Sequence, residues 1–385
     1  MRYQAAKENI LAHTSAKLSM YENYLRIYLS ILLNTDFTIN IVDLFCGKGL
    51  YKNGKKGSAL IAYDCIKDII YSKKTLNNFV SNQKIRLILN DVKTRRIENV
   101  KHILEAQNNS EKICIIEYYN KKYLDIINLI LNKNNKLSNL SNRNLFFIDP
   151  YGYKDIFKEH LYKLISMSNS ELLIFLPVSF IYRFIKIAFE DFENPKYKKT
   201  RDFMNDFFDN PKDRIYKYKS VFDFIKDLCT AFTFLGDNYC CSYYIRRNKV
   251  NVYALFFLTS NIKGFEKILE TQWKCDLIEG KGFSDSEVII PLIAEYNYKQ
   301  KNKEFEIKLK EYIRSLKTNI ELYKFSLFNY FLPKHTNNIL KSLQKNQTIN
   351  VFDMEMGKEA RKGSFYLNYD NYKNNRERVR IVLKK

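Results

Sequence analysis

The sequence predicts an α/β chain: a doubly wound, mostly parallel sheet followed by a C-terminal α+β domain of winged-helix-like order. Three observations predict it. Short apolar runs alternate with segments of helical spacing from residue 38 to residue 188, the pattern of βαβ units. The first such run ends in Cys46-Gly47-Lys48-Gly49, a buried strand entering a tight turn. After residue 280 the order becomes three helices, a strand, a basic loop and a strand.

The first element is a helix over residues 15–34, on which Leu18, Tyr21, Tyr24, Leu25, Tyr28, Leu29 and Leu32 recur at helical spacing. A strand follows over 38–45, then a helix over 58–71 with Ser58 as its N-cap. Further strands are expected over 85–89, 112–117, 145–148 and 171–176, and helices over 94–106, 123–131, 156–165 and 180–188. Residues 132–144 are polar and read as a loop. A charged helical insertion covers 190–235, broken at Pro195 and Pro211. Residues 239–259 read as two strands joined at Asn248-Lys249, and 263–274 as a helix. That hairpin would close the sheet with one reversed strand. The main domain thus spans 1–280 and the second 281–385. In the second, helices over 303–317, 320–330 and 333–345 precede strands over 348–352 and 364–367.

The 385 residues are 46% hydrophobic, enough for a packed core, and 11 Gly and 6 Pro exclude collagen-like or low-complexity classes. The net charge of +22 suits a polyanionic partner, although the same lysine excess follows from AT-rich codons. Seven cysteines without a C-x-x-C pair give neither a zinc knuckle nor a disulfide framework, so reduced thiols in a cytoplasm are expected. Neither a signal peptide nor a membrane span is expected. His13, His102, His160 and His335 lack ligand spacing, so no metal site is proposed. P-loop and nuclease patterns are absent.

Three motifs carry chemistry, each at the end of an expected strand. The first is Asp43-Leu44-Phe45-Cys46-Gly47-Lys48-Gly49. Glycines let backbone approach a ligand where a Cβ would collide, and open α/β sheets bind ligands at the carboxyl ends of strands. A turn of this form suits the methionine and ribose portions of S-adenosylmethionine (SAM), with Asp43, Phe45, Gly47 and Gly49 holding it. Asp91 ends the second strand, where a carboxylate can accept ribose hydroxyls. Its plain alternative is a helix cap. The third is Asp149-Pro150-Tyr151-Gly152 after the fourth strand. Amino-methylating enzymes carry [DNS]-P-P-[FYW] there: the polar side chain and a backbone carbonyl accept N–H bonds from an amine, and the ring stacks on the base. Here Tyr-Gly replaces Pro-aromatic, an order that resembles tRNA guanine-N2 methyltransferases. An Asx-turn is the plain alternative. Cys46 reads as a buried small hydrophobe rather than a nucleophile. The fold class that follows is a sheet of the SAM-methyltransferase (Rossmann-like) type.

Basic residues mark two further regions. Lys48, Lys52, Lys55 and Lys56 follow the glycine turn and could reach a nucleic-acid backbone. On the helix over 333–345, Ile339, Leu340 and Leu343 lie on one side, and Lys334, His335, Asn337, Asn338, Lys341 and Lys345 on the other. Such a helix can enter a major groove, with Asn reading adenine edges. Arg361 and Lys362 add charge in the following loop, and from Lys334 to Lys385 twelve Lys and Arg stand against five Asp and Glu.

With these residues in place, the chain resembles the bacterial three-Cys-motif partner proteins over nearly its whole length. The likeness rests on His13-Thr14-x-x-Lys17, the Asp43 to Gly49 turn, Gly57-Ser58, Asp149-Pro150-Tyr151-Gly152-Tyr153 and Arg183. Tyr253-x-Leu255-x-Phe257-x-Thr259, Gly264 and Trp273, and the final helix with its wing extend it. Two departures stand out: Cys46-Gly-Lys48 replaces the usual Ala-Gly-Pro, and Asn90 stands where many relatives have Glu. The resemblance implies a methyltransferase-like fold and a partner bearing a three-cysteine, radical-SAM-like motif. Phage defence is the setting it suggests. The activity it leaves open is either an amino-methyltransferase on a base in DNA or RNA, or a non-catalytic nucleic-acid-binding subunit serving that partner.

Overall fold

A computed structural model describes residues 11–75, 84–108, 112–132, 137, 139–167, 169–233, 235, 238–248, 250–285 and 291–384. Lys249 of the expected hairpin turn, and part of the polar loop over 132–144, lie outside these residues. The chain divides into two units, Met1–Thr271 with Lys281–Glu287, and Gln272–Gly280 with Val288–Lys385.

The first unit opens with helix α1 (Ala12–Leu32) and alternates through β1 (Thr38–Asp43), α2 (Ser58–Thr75), β2 (Ile85–Asn90), α3 (Thr94–Asn108), β3 (Ile115–Tyr119), α4 (Tyr123–Leu131), β4 (Asn142–Ile148), α5 (Lys158–Ser166), β5 (Ser170–Leu176) and α6 (Val178–Glu190). A short 3-10 turn at Pro195–Tyr197 and helices α7 (Lys198–Phe207), α8 (Pro211–Ile215) and α9 (Val221–Thr233) fill the charged insertion. Then come β6 (Tyr239–Arg246), β7 (Val252–Thr259), α10 (Ile262–Cys275) and β8 (Gly282–Ser284).

The strand order is β3-β2-β1-β4-β5-β7-β6-β8. Every pairing is parallel except those of β7, which runs antiparallel to both β5 and β6. This is the doubly wound sheet with a reversed strand that the alternation predicts. The central strands read as continuous apolar runs because both faces are covered: all seven residues of β5 are buried. Each aliphatic side chain so buried stabilises the fold by roughly 1.5–3 kcal/mol.

Several boundaries differ from expectation, among them the helix expected over 303–317, which spans Pro291–Tyr312, and two strand starts that move for a local reason. β3 begins at Ile115 rather than 112, because the Asn108 side chain accepts the N–H groups of Ile113 and Cys114 and donates to the Cys114 carbonyl. Those residues are tied to the end of α3 before the ladder can start. β4 begins at Asn142, since its polar start is satisfied from within: Asn40 donates to Asn144 Oδ1 at 2.8 Å, and Asn144 donates to Ser170 Oγ at 3.2 Å. β8, parallel to β6, has no counterpart in the apolar pattern.

The second unit contains α11 (Pro291–Tyr312), β9 (Lys317–Thr318), α12 (Asn319–Phe328), α13 (Pro333–Lys345), β10 (Ile349–Asp353), α14 (Tyr369–Lys373) and β11 (Val379–Leu383). Its small antiparallel sheet has the order β10-β11-β9. Leu309, Ile313, Leu322, Leu340, Leu343, Val351, Phe365 and Ile381 form its core. The strand expected over 364–367 is absent, and β11 takes its place. Phe365 and Leu367 do point inward, but Tyr366 has φ 55° and its carbonyl is taken by the side chains of Asn319 and Asn371. The in–out alternation is present there without a ladder. Among the described residues, no helix is long and apolar enough to cross a membrane.

Candidate active site

β1 and β4 are neighbours, with Asp43 opposite Phe147, so the motifs that follow them share one end of the sheet. Asp43 is fully buried, and its Oδ1 accepts the Phe45 N–H at 3.1 Å. Burial pushes its carboxyl up to about 7; the Ser58 hydroxyl, the Phe45 N–H and Lys17 act against the rise, and Asp149 adds to it. Its Oδ2 is buried with no hydrogen-bond partner among the described residues.

The turn after β1 is fixed by its glycines. Gly47 and Gly49 have φ of 66° and 79°, where a side chain is strained. The Gly57 N–H closes back on the Gly49 carbonyl at 2.5 Å, and Asn99 donates to the Lys48 carbonyl at 2.6 Å. A Cβ on Gly49 would sit 3.0 Å from Val100 Cγ2, whereas one on Gly47 would meet nothing within 4 Å. Open space therefore faces the Gly47 backbone. Phe45 turns inward and stacks on Tyr123 at 5.4 Å. Burial, with Asp43 and Asp91 beside it, pushes the Cys46 thiol up, which leaves it a poor nucleophile.

Asp91, 4% exposed, is already engaged: Oδ2 accepts the Gly47 N–H at 3.1 Å and faces Arg96 at 3.4 Å, and Oδ1 accepts the Lys93 N–H at 2.8 Å. Asn90 is likewise a strut, joining the Leu44 carbonyl to Lys121.

After β4, Asp149 is not alone. Lys17 Nζ, from α1, donates to its Oδ2 at 2.5 Å. The lysine is 7% exposed and also lies 4.5 Å from the centre of the Phe175 ring. Tyr21, one turn further on, stacks on Phe147 at 4.3 Å and leaves its hydroxyl buried without a hydrogen-bond partner among the described residues. The Pro150 carbonyl accepts the Gly152 N–H at 2.8 Å, and Tyr151 is 91% exposed. Sequence reasoning had Lys17 in its His-Thr-x-x-Lys motif but gave it no role. The signal available was a lysine on the inward face of an otherwise aromatic helix.

The structure thus brings Asp43, Gly47 and Asp149 together with Lys17, and ties Asp91 to the turn itself. Among the loop lysines, Lys48 is half-buried, with Nζ 5.6 Å from the Tyr51 ring centre. Lys52, Lys55 and Lys56 are exposed, and Lys56 pairs with Asp64.

The second unit is considered by itself. Lys334, Asn338, Lys341 and Lys345 form the exposed stripe of α13. Asn337 is half-buried, with its Oδ1 enclosed. His335 does not belong to the polar face on which its spacing placed it. Its Nδ1 accepts the Leu332 N–H, its ring lies 4.4 Å from that of Trp273, and burial plus Lys334 and Lys301 push it down to about 4. Arg361 and Lys362 are exposed beside this stripe: the next residue, Gly363, donates to Gln344 on α13, and a Cβ there would lie 3.6 Å from Lys341 Cε.

No family model and no curated protein matches the chain. Similar solved structures include a Legionella pneumophila protein, 12% identical with a TM-score of 0.38, covering 69% of this chain and 93% of that one. Another is the Streptomyces achromogenes O-methyltransferase of tomaymycin synthesis, solved with SAM (10% identity, TM-score 0.34, 67% and 94% covered). A third is a Bacillus cereus O-methyltransferase solved with SAH (11%, TM-score 0.35, 67% and 86%). The strand order and the reversed β7 decide the fold. It is of the SAM-methyltransferase, Rossmann-like type.

Proposed function

We propose that the chain is a SAM-dependent amino-methyltransferase acting on a base in DNA or RNA. The observation that carries this is the Lys17–Asp149 ion pair beside buried Asp43 and the open Gly47 turn. The unpartnered oxygens of Asp43 and Tyr21, with the space at Gly47, fit a polar ligand at the strand ends. Asp43, Phe45, Gly47, Gly49 and Asp91 would hold SAM, which when bound supplies an electrophilic methyl group. Lys17 occupies one of the Asp149 oxygens. The other oxygen is left to accept an N–H of the amine and aim its lone pair. The Pro150 carbonyl retains a second lone pair for the same purpose. Exposed Tyr151 offers a face for the base. Positioning supplies most of the rate in such a site.

The basic residues support the substrate class. Lys334, Asn338, Lys341, Arg361 and Lys362 would form the contact surface of the winged-helix-like unit, and Lys48, Lys52 and Lys55 that of the main unit. The seven free thiols suit a reducing cytoplasm. The three-cysteine partner and a role in phage defence rest on the family resemblance alone.

One observation favours a second reading. The Asp91 carboxylate already carries contacts to Gly47, Lys93 and Arg96, which leaves little acceptor capacity for a ribose, as in a non-catalytic subunit that delivers nucleic acid to its partner. Calorimetric titration with SAM and its demethylated product separates the two. Micromolar affinity, about −8 kcal/mol, that vanishes in Asp43→Ala supports the enzyme. No binding by protein shown to be folded overturns it.

A further inference from the structure

Helix α6 follows β5, and its inner face buries Val178, Ile181, Ile185, Ala188 and Phe189. An amphipathic helix would be polar on the other side. Instead Phe180 and Ile187 are 47% and 40% exposed, with half-buried Phe184 between them at helical spacing. Phe180 lies 5.2 Å from Phe184, which lies 5.9 Å from half-buried Tyr197, and at its other side Phe180 packs 6.1 Å from the buried Tyr153 ring of the Asp149 loop. Exposed cations accompany this line: Arg183 and Lys186 on the same helix, and Lys196, Lys198 and Lys199 around Tyr197. Exposed Glu190, Asp191 and Glu193 lie at the Tyr197 end of α6, and exposed Asp155 lies two residues from Tyr153.

We infer that the accessible rings of Phe180, Phe184 and Tyr197 are a stacking track for single-stranded nucleic acid, with its Phe180 end packed on Tyr153 of the loop that carries Asp149. The inference rests on the nucleic-acid reading above and narrows it. Every base presents a face that an aromatic ring can stack on, and cations spaced along the rings hold the backbone. An acidic peptide would also meet the cations, but it lacks the succession of flat faces that a row of rings can stack. A single strand also spares the site the unpairing that a duplex base requires.

The experiment is fluorescence anisotropy of the full chain with labelled oligo(dT) of about 20 nucleotides and with a duplex of equal length. The variants are Phe180→Ala with Phe184→Ala, and Phe180→Tyr. The expected result is at least roughly tenfold weaker oligo(dT) binding in the double variant, near-normal binding in Phe180→Tyr, and unchanged duplex affinity and melting temperature. Unchanged oligo(dT) affinity in the double variant, or an equal loss on duplex, overturns the track. Wild-type binding to duplex but not oligo(dT) overturns it while leaving the nucleic-acid reading intact. Binding to neither overturns both.

Discussion

Asp43 and Glu171 are both buried carboxyls that burial pushes up to about 7. Glu171 accepts the Tyr24 hydroxyl and the Thr259 hydroxyl, which offset part of the rise. In the unfolded chain each titrates near 4. Between those values the folded state binds more protons than the unfolded one, so stability is full at low pH and is lost as pH rises towards 7. Each group contributes a slope of up to about 1.4 kcal/mol per pH unit. The melting temperature should therefore fall from pH 5 to pH 7.5 in a thermal scan, and the fall should be shallower in Glu171→Gln. A flat profile in the wild type would refute this. The same proton matters for ligands: a cationic cofactor favours ionised Asp43, so SAM binding near pH 6.5 should release protons, visible as a buffer-dependent heat. Lys17→Met should leave SAM affinity within severalfold and lower methyl transfer by about two orders of magnitude, the scale of a lost positioning contact. Lys17→Arg, which keeps a cation within reach of Asp149, should restore most of that rate. Asp149 was legible in the sequence from its motif. Its partner lies 132 residues away, a distance no local pattern spans.

At the scale of elements, the helices and central strands were legible because burial on both faces leaves long apolar runs. What failed were boundaries governed by polar side chains, such as the Asn108 clasp before β3 and the Asn40–Asn144 pair that lengthens β4. The wing misled for another reason: alternation records which way side chains point, not whether a neighbouring strand exists. Gly264 on α10 shows how tightly elements are set. A Cβ there would fall 2.2 Å from Glu171 Oε1 on β5. Gly264→Ala should cost about 1–3 kcal/mol by overpacking, measured by denaturant midpoint, and Glu171→Gln should not relieve it. In the second unit, Leu340 is wholly buried, and Leu340→Ala should cost about 2–5 kcal/mol, again read from a denaturation curve.

For the whole molecule, a charge of +22 makes salt the natural probe of the nucleic-acid reading. If six to ten phosphates are contacted, affinity should fall by roughly 10³–10⁵ between 50 and 200 mM salt. Lys334→Glu with Lys341→Glu should flatten that slope, and a flat wild-type response would count against the surface. The sheet's doubly wound character was readable from alternation, but β8 was not, since three residues make no pattern. The pinched loop after the glycine turn has a practical consequence. Gly57 closes on Gly49, Leu50 bridges Lys56, and Tyr51 accepts from Gly54 and donates to Lys55. The tip at Lys52 and Asn53 is exposed, and the Asn53 side chain accepts the Lys55 N–H. Lys52 is a place where a fluorophore-bearing cysteine can be introduced with the closure kept, turning the loop after the glycine turn into a reporter of ligands that bind beside it.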